Sequence, residues 1–180
     1  MKIVITGTTG QIGRHLTPLL DIEENEITLI TRDASKLQNE AAKGAKVLEG
    51  DMLDEAFMIQ ALSGAEVYFF LPPPNFASSD MIEEYKALAT VSKEAALENK
   101  VQRIVHLSTL GAQLDLEETG LIRGQHFAEK IIREAAPHVV HLRNGFFLEN
   151  YLPSAESITG AGQVYLPVSS EARYPFVATK

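Results

Sequence analysis

The chain has 180 residues, 45% of them hydrophobic, which allows one domain, or one plus a fragment of a second, around a sizeable core. It has no cysteine, which excludes disulfides and thiolate chemistry, and 16 basic against 24 acidic residues give a net charge of −8, without the basic footprint of a nucleic-acid binder. No window approaches the apolar length of a membrane span, and the start MKIVITG lacks a signal-peptide cleavage pattern, so a cytoplasmic protein with no membrane or nucleic-acid partner is expected.

Short β-branched runs alternate with helical stretches. Residues 2–6 read as a strand, and residues 11–20 as a helix with Ile12, Leu16, Leu19 and Leu20 on its apolar side. A second strand at 26–31 (EITLIT) precedes a helix at 35–43, closed by Gly44. A third strand at 45–49 precedes a helix at 54–63, capped by Asp54 and stopped by Gly64. Residues 66–71 (EVYFFL) are almost continuously apolar, as in a parallel strand buried on both faces, and Pro72, Pro73 and Pro74 end it. A long helix at 81–98, a strand at 101–107, a helix at 121–135 and a strand at 139–143 follow. Beyond Asn150 a strand is read in GQVYLP, residues 162–167. This alternation specifies an α/β fold, and right-handed crossovers favour a Rossmann-type doubly wound parallel sheet of order 3-2-1-4-5-6.

Between the first strand and first helix lies Gly7-Thr-Thr-Gly10-Gln-Ile-Gly13. A glycine pattern in this strand–turn–helix context is a dinucleotide fingerprint. Gly7 permits the tight turn, Gly10 lets the backbone approach a pyrophosphate, and Gly13 lets the helix pack closely, with its N-terminus facing the phosphates. Thr9, Gln11 and Ile12 lie between them. The second strand ends Thr31-Arg32-Asp33. An arginine here suits the 2′-phosphate of NADP(H) and an acid the ribose 2′-OH of NAD(H), so NADP(H) is preferred on Arg32, with NAD(H) open on Asp33 unless Asp33 caps the next helix beside Ser35.

The segments ITGTTGQIGRHL, LITRD, EGDMLD, VYFFLPPP, VHLSTLGA and HLRNGFFLENYL occur in the order seen in the NmrA-like, atypical short-chain dehydrogenase/reductases, and the chain resembles that family over nearly its whole length. It is most similar in look to the family's NAD(P)H-dependent quinone reductases. The resemblance implies that Asp51 meets the adenine amine and Met52 packs on the ring, although an aspartate there also shapes turns. Leu71, Pro72 and Ser108, at the ends of the fourth and fifth strands, complete the expected cofactor set. The closing segment, residues 174–180, looks like the strand before the family's next helix, and the family continues past this chain's end, so residues 1–150 are expected to form the dinucleotide-binding domain and 151–180 the start of a truncated substrate-binding region.

The superfamily's usual catalytic apparatus is a serine after the fifth strand and Tyr-x-x-x-Lys on the next helix. Ser108 stands in the serine's place, but the helix carries His126 and Lys130 instead, four apart on one face. His126 is a candidate proton donor and Lys130 a candidate holder of the nicotinamide ribose. A quinone also accepts hydride without an enzymic acid, its oxygen taking a proton from water. Asn144, Phe146 and Phe147 follow the sixth strand and are the expected substrate-pocket residues. No metal site is expected. The expected function is hydride transfer from NADPH to a small quinone-like acceptor. The missing tyrosine leaves a non-catalytic redox sensor as the alternative and disfavours a sugar-nucleotide epimerase.

Overall fold

The computed structural model describes residues 1–115, 117, 119–164, 171, 173 and 175–179. Six strands, β1 (Lys2–Ile5), β2 (Glu26–Thr31), β3 (Lys46–Glu49), β4 (Val67–Phe70), β5 (Arg103–Thr109) and β6 (His138–Asn144), form one sheet in the order β3-β2-β1-β4-β5-β6. The β1–β2, β1–β4, β2–β3 and β4–β5 pairings are parallel. This is the Rossmann order, with the reversal at β1, between β2 and β4.

Alternation along β1 sends Val4 and Ile5 to opposite faces, and each meets its own core. Val4 joins Tyr68, Phe70 and Ile104 under α3 (Glu55–Ala61), α4 (Met81–Glu98) and α5 (Leu121–Ile132). Ile5 joins Ile27, Leu29, Leu37 and Ala45. Each fully buried Ile, Leu or Phe side chain contributes roughly 1.5–3 kcal/mol. Asp54 and Asp80 cap α3 and α4 by accepting from the amides of Phe57 and Glu83, both at 3.0 Å.

Three boundaries differ from those read in the sequence. The first helix is short: α1 covers Gly13–Leu16 and passes into a 3₁₀ turn at Thr17–Leu19, with Pro18 in that turn's first positions. The tighter winding rotates Leu19 out of the apolar side, where it is 82% exposed. The second helix likewise begins as a 3₁₀ turn at Ala34–Leu37 before α2 (Gln38–Ala42). The fifth strand starts two residues late, because the amides of Gln102 and Arg103 both go to the Glu66 carbonyl before the ladder begins. It therefore runs to Thr109, and Ser108 lies inside the strand rather than after it.

Residues Met1–Arg143 form one compact unit and Asn144–Lys180 a second. The second contains β7 (Phe146–Phe147) paired in parallel with β8 (Phe176–Val177), a 3₁₀ segment at Leu148–Ser154 and α6 (Ala155–Ala161). Of the expected GQVYLP strand, Gly162 closes α6 in a left-handed conformation, Gln163 and Val164 are irregular, and the rest lies outside the described residues.

Candidate functional site

The glycine loop is tied to the strands on either side of β1. The buried Thr8 donates its hydroxyl to the Ile30 carbonyl at 2.9 Å, fastening the loop to β2. Thr6 donates to the Phe69 carbonyl at 3.2 Å and accepts from the Leu71 amide at 3.0 Å, fastening it to β4. Gly7 turns the chain at φ +68°, and Leu71 fills the space a side chain there would take. Gly10 donates its amide to the Gly7 carbonyl at 3.1 Å. Thr9, Gly10 and Gln11 are exposed at the tip, with Ile12 half-buried behind them. A Cβ on Gly10 would meet one atom only, the Gly7 carbonyl oxygen at 3.3 Å, and would otherwise occupy the open space in front of the loop. A Cβ on Gly13 would come within 2.5 Å of two Thr8 backbone atoms. The cradle thus fits a group that approaches backbone at Gly10, as a pyrophosphate does.

At the end of β2 the two candidate cofactor readers behave differently. Asp33 is committed to its own turn: it accepts from the Ser35 amide at 3.1 Å and the Ser35 hydroxyl at 2.6 Å, and pairs with Lys36 at 3.6 Å. The hydrogen bond from the Ser35 hydroxyl is the main cause holding its carboxyl below the ordinary value. Glu49, facing Thr31 from β3, accepts the Ala34 amide at 2.7 Å. Arg32 is exposed, and among the described residues its guanidinium has no partner. Asp51 closes a turn through one carboxylate oxygen, which accepts from the Leu53 amide at 2.9 Å, while Met52 is buried in the core beside Met58. Pro72 is buried and Leu71 half-buried at the end of β4.

Ser108, His126 and Lys130 are not joined to one another by any hydrogen bond or ion pair among the described residues. Strand alternation turns Ser108 towards α5, where it donates to Glu129 Oε1 at 2.5 Å. Arg143 from β6 grips the same carboxylate with two parallel bonds, Nε to Oε1 at 2.9 Å and an Nη to Oε2 at 2.6 Å. Burial pushes the Glu129 carboxyl up, but hydrogen bonds from Arg143 and Ser108 outweigh it and leave the group below its usual value. His126 is buried, with Nδ1 2.8 Å from the Ala112 carbonyl and Nε2 3.8 Å from Asp115. Lys130 is exposed, its Nζ 6.0 Å from the Phe127 ring centroid.

Beside this cluster, His106 and His141 meet Nδ1 to Nδ1 at 3.0 Å, and His106 Nε2 lies 3.0 Å from the Gln125 carbonyl oxygen. Burial lowers His106 to about 3, with the His141 ring acting in the same direction, so His106 is neutral. With Gln125 accepting, His106 Nε2 carries the proton, and His141 donates from Nδ1 to His106.

In the second unit, Phe146 packs edge-on to Tyr151 and Phe176 at centroid distances of 5.7 and 5.9 Å. Phe147 is half-buried in β7, and Asn144 closes β6.

The family model for the NmrA-like family matches residues 1–180. The chain belongs to the NmrA-like family. Among curated relatives, this NmrA-like chain is 30% identical over 190 residues to Quinone oxidoreductase 2 of Escherichia coli (strain K12), covering 99% of the chain and 63% of the relative. It is 27% identical over 167 residues to NAD(P)H azoreductase of Xenophilus azovorans, covering 92% and 55%. The crystal structure of an NADPH-dependent quinone oxidoreductase from Escherichia coli complexed with NADPH superposes with a TM-score of 0.71 at 30% identity, covering 89% of the chain and 54% of that structure. The chain thus spans little more than half the length of these relatives.

Four residues that brace the candidate positions, Thr6, Thr8, Glu129 and Arg143, are not among the site residues expected from the sequence. Thr6 and Thr8 carried a faint signal, as polar residues bracketing a glycine at a buried strand end. The Glu129–Arg143 pairing carried none, because it depends on the α5–β6 register.

Proposed function

We propose that this NmrA-like chain binds NADP(H) and serves an oxidoreductase that delivers hydride to small quinone-like acceptors. The observation that carries the reading is the open cradle at Gly10 together with the uncommitted guanidinium of Arg32, while Asp33 is spent on its own turn. The names of the two curated relatives, a quinone oxidoreductase and an azoreductase, support it.

In this reading Gly7, Thr9, Gly10, Gln11, Ile12 and Gly13 hold the pyrophosphate, Arg32 the 2′-phosphate, and Asp51 with its free carboxylate oxygen the adenine. Leu71, Pro72 and Ser108 border the nicotinamide half. Residues 1–150 serve as the dinucleotide-binding domain and 151–180 as the start of the substrate-binding region, and Asn144, Phe146 and Phe147 are the substrate-pocket residues. Bound NADPH supplies the hydride. The protein aligns donor and acceptor, and alignment alone is worth several kcal/mol, about 7–11 at best. The acceptor oxygen takes its proton from water. His126 Nδ1 is engaged with a carbonyl and its Nε2 is enclosed, and Lys130 is exposed, so neither carries an assigned step.

The test is incubation with NADPH and a panel of quinones. Loss of the reduced-nicotinamide absorbance on addition of a quinone is expected. Tight NADPH binding with no turnover across the panel would refute the acceptor assignment and favour a dinucleotide sensor.

A further inference from the structure

We infer that Ser108 is fixed as a hydrogen-bond acceptor for an N–H or O–H donor on the nicotinamide half of the bound cofactor, an inference that rests on the NADP(H) reading. Ser108 has one hydroxyl proton, and the Glu129 carboxylate takes it at 2.5 Å. That carboxylate cannot rotate away. Its side chain is 3% exposed, and Arg143 occupies both its oxygens, at 2.9 and 2.6 Å. An ionised carboxylate only accepts, so the direction of the Ser108–Glu129 bond is settled by chemistry. Oγ is left with lone pairs alone, and among the described residues nothing else bonds to it.

Ser108 is the penultimate residue of β5, at the carboxyl edge where ligands bind in such sheets. It stands on the β4–β5 side of the switch point, away from Arg32, which follows the end of β2. The donors a dinucleotide offers on that side are the carboxamide amine and the ribose hydroxyls. Ser108 is thereby suited to grip the cofactor and unable to protonate the acceptor. Glu129 and Arg143 are positioning residues that act through it.

Dissociation constants for NADPH and for its reduced 3-acetylpyridine analogue, in which methyl replaces the carboxamide amine, test this. They are measured for the unsubstituted chain, Ser108→Ala, Glu129→Gln and the double variant. Ser108→Ala should weaken NADPH about three- to tenfold, the value of one hydrogen bond. If the amine is the donor, the analogue binds the unsubstituted chain more weakly and is indifferent to Ser108→Ala. If a ribose hydroxyl is the donor, the substitution weakens both ligands. Glu129→Gln should also weaken NADPH, and the double variant should be no worse than the weaker single one, since Glu129 acts only through Ser108. Ser108→Ala removes one hydroxyl and keeps the test standing where Glu129→Gln does not fold. Unchanged affinities in Ser108→Ala, or additive losses in the double variant, would overturn the inference alone. No NADPH binding by the unsubstituted chain would overturn the cofactor reading and this inference with it.

Discussion

Gly10→Val separates cofactor binding from folding. Gly10 is not in the left-handed region, so a side chain is conformationally allowed. Its Cβ would meet only the Gly7 carbonyl oxygen at 3.3 Å, which a shift of a few tenths of an ångström relieves. An exposed substitution of this kind changes stability by about 0.5 kcal/mol. The valine methyls would project into the open space in front of the loop. Breaking one charge-assisted hydrogen bond to the phosphates costs about 1.5–3 kcal/mol, or roughly 10- to 150-fold in Kd. Holding the pyrophosphate off the loop breaks more than one. Gly13→Ala is the counterpart, since its Cβ would run into the Thr8 backbone at 2.5 Å. Overpacking of about 1–3 kcal/mol outweighs a helix-propensity gain of about 1 kcal/mol at most. Thermal melting and calorimetric titration with NADPH distinguish the two: Gly10→Val should melt normally and not bind, whereas Gly13→Ala should melt several degrees lower. A folded Gly10→Val protein with unchanged NADPH affinity would refute the placement of the phosphates on this loop.

Gly124→Ala should destabilise the α4–α5 packing by about 1–3 kcal/mol despite better helix propensity, because a Cβ there would lie 2.8 Å from the Tyr85 ring; denaturant unfolding reads this. His126→Gln should keep quinone turnover within about threefold, whereas loss of a true general acid would cost roughly 100- to 10,000-fold in kcat. Stability should also fall with acid. The His106 pKa is depressed on folding, to about 3, and His141 is depressed as well, so the unfolded chain takes up protons first. The His106 contribution is intact above the ordinary histidine value of about 6.5 and is lost as pH falls towards 3, at up to about 1.4 kcal/mol per unit, and His141, lowered chiefly by burial, acts in the same direction. Unfolding free energies at about pH 7 and about pH 5 should differ by about 2 kcal/mol, and a His106→Gln variant should show a smaller difference.

The sheet order and the strand–glycine-loop–helix unit were legible because they depend on local signals. β-branched runs, aspartate caps such as Asp54, and glycines spaced between a strand and a helix all act over a few residues. The pairing of Asp33 with Ser35 was legible for the same reason. The first helix misled because Ile12, Leu16, Leu19 and Leu20 fit an α-helical period, while Pro18 and the 3₁₀ turn broke the phase at Leu19. Ser108 is a candidate by its place in the chain, and nothing local marks its hydrogen bond to Glu129, since Glu129 and Arg143 meet only when β5, α5 and β6 are stacked in register. The histidine pair His106 and His141 is likewise a cross-strand pairing with no local trace. After Asn150, α6 had no local trace because no periodic apolar pattern marks it, whereas β8 (Phe176–Val177) falls within the closing segment read as a strand.

Side-by-side dissociation constants of NADPH and NADH for the unsubstituted chain and for Arg32→Ala, at low salt, test whether Arg32 reads the 2′-phosphate of NADP(H). NADPH should bind more tightly than NADH, and Arg32→Ala should weaken it by about 10- to 150-fold, reduced by solvent and salt at this exposed site, with NADH unchanged. A preference of the unsubstituted chain for NADH would contradict this reading of Arg32.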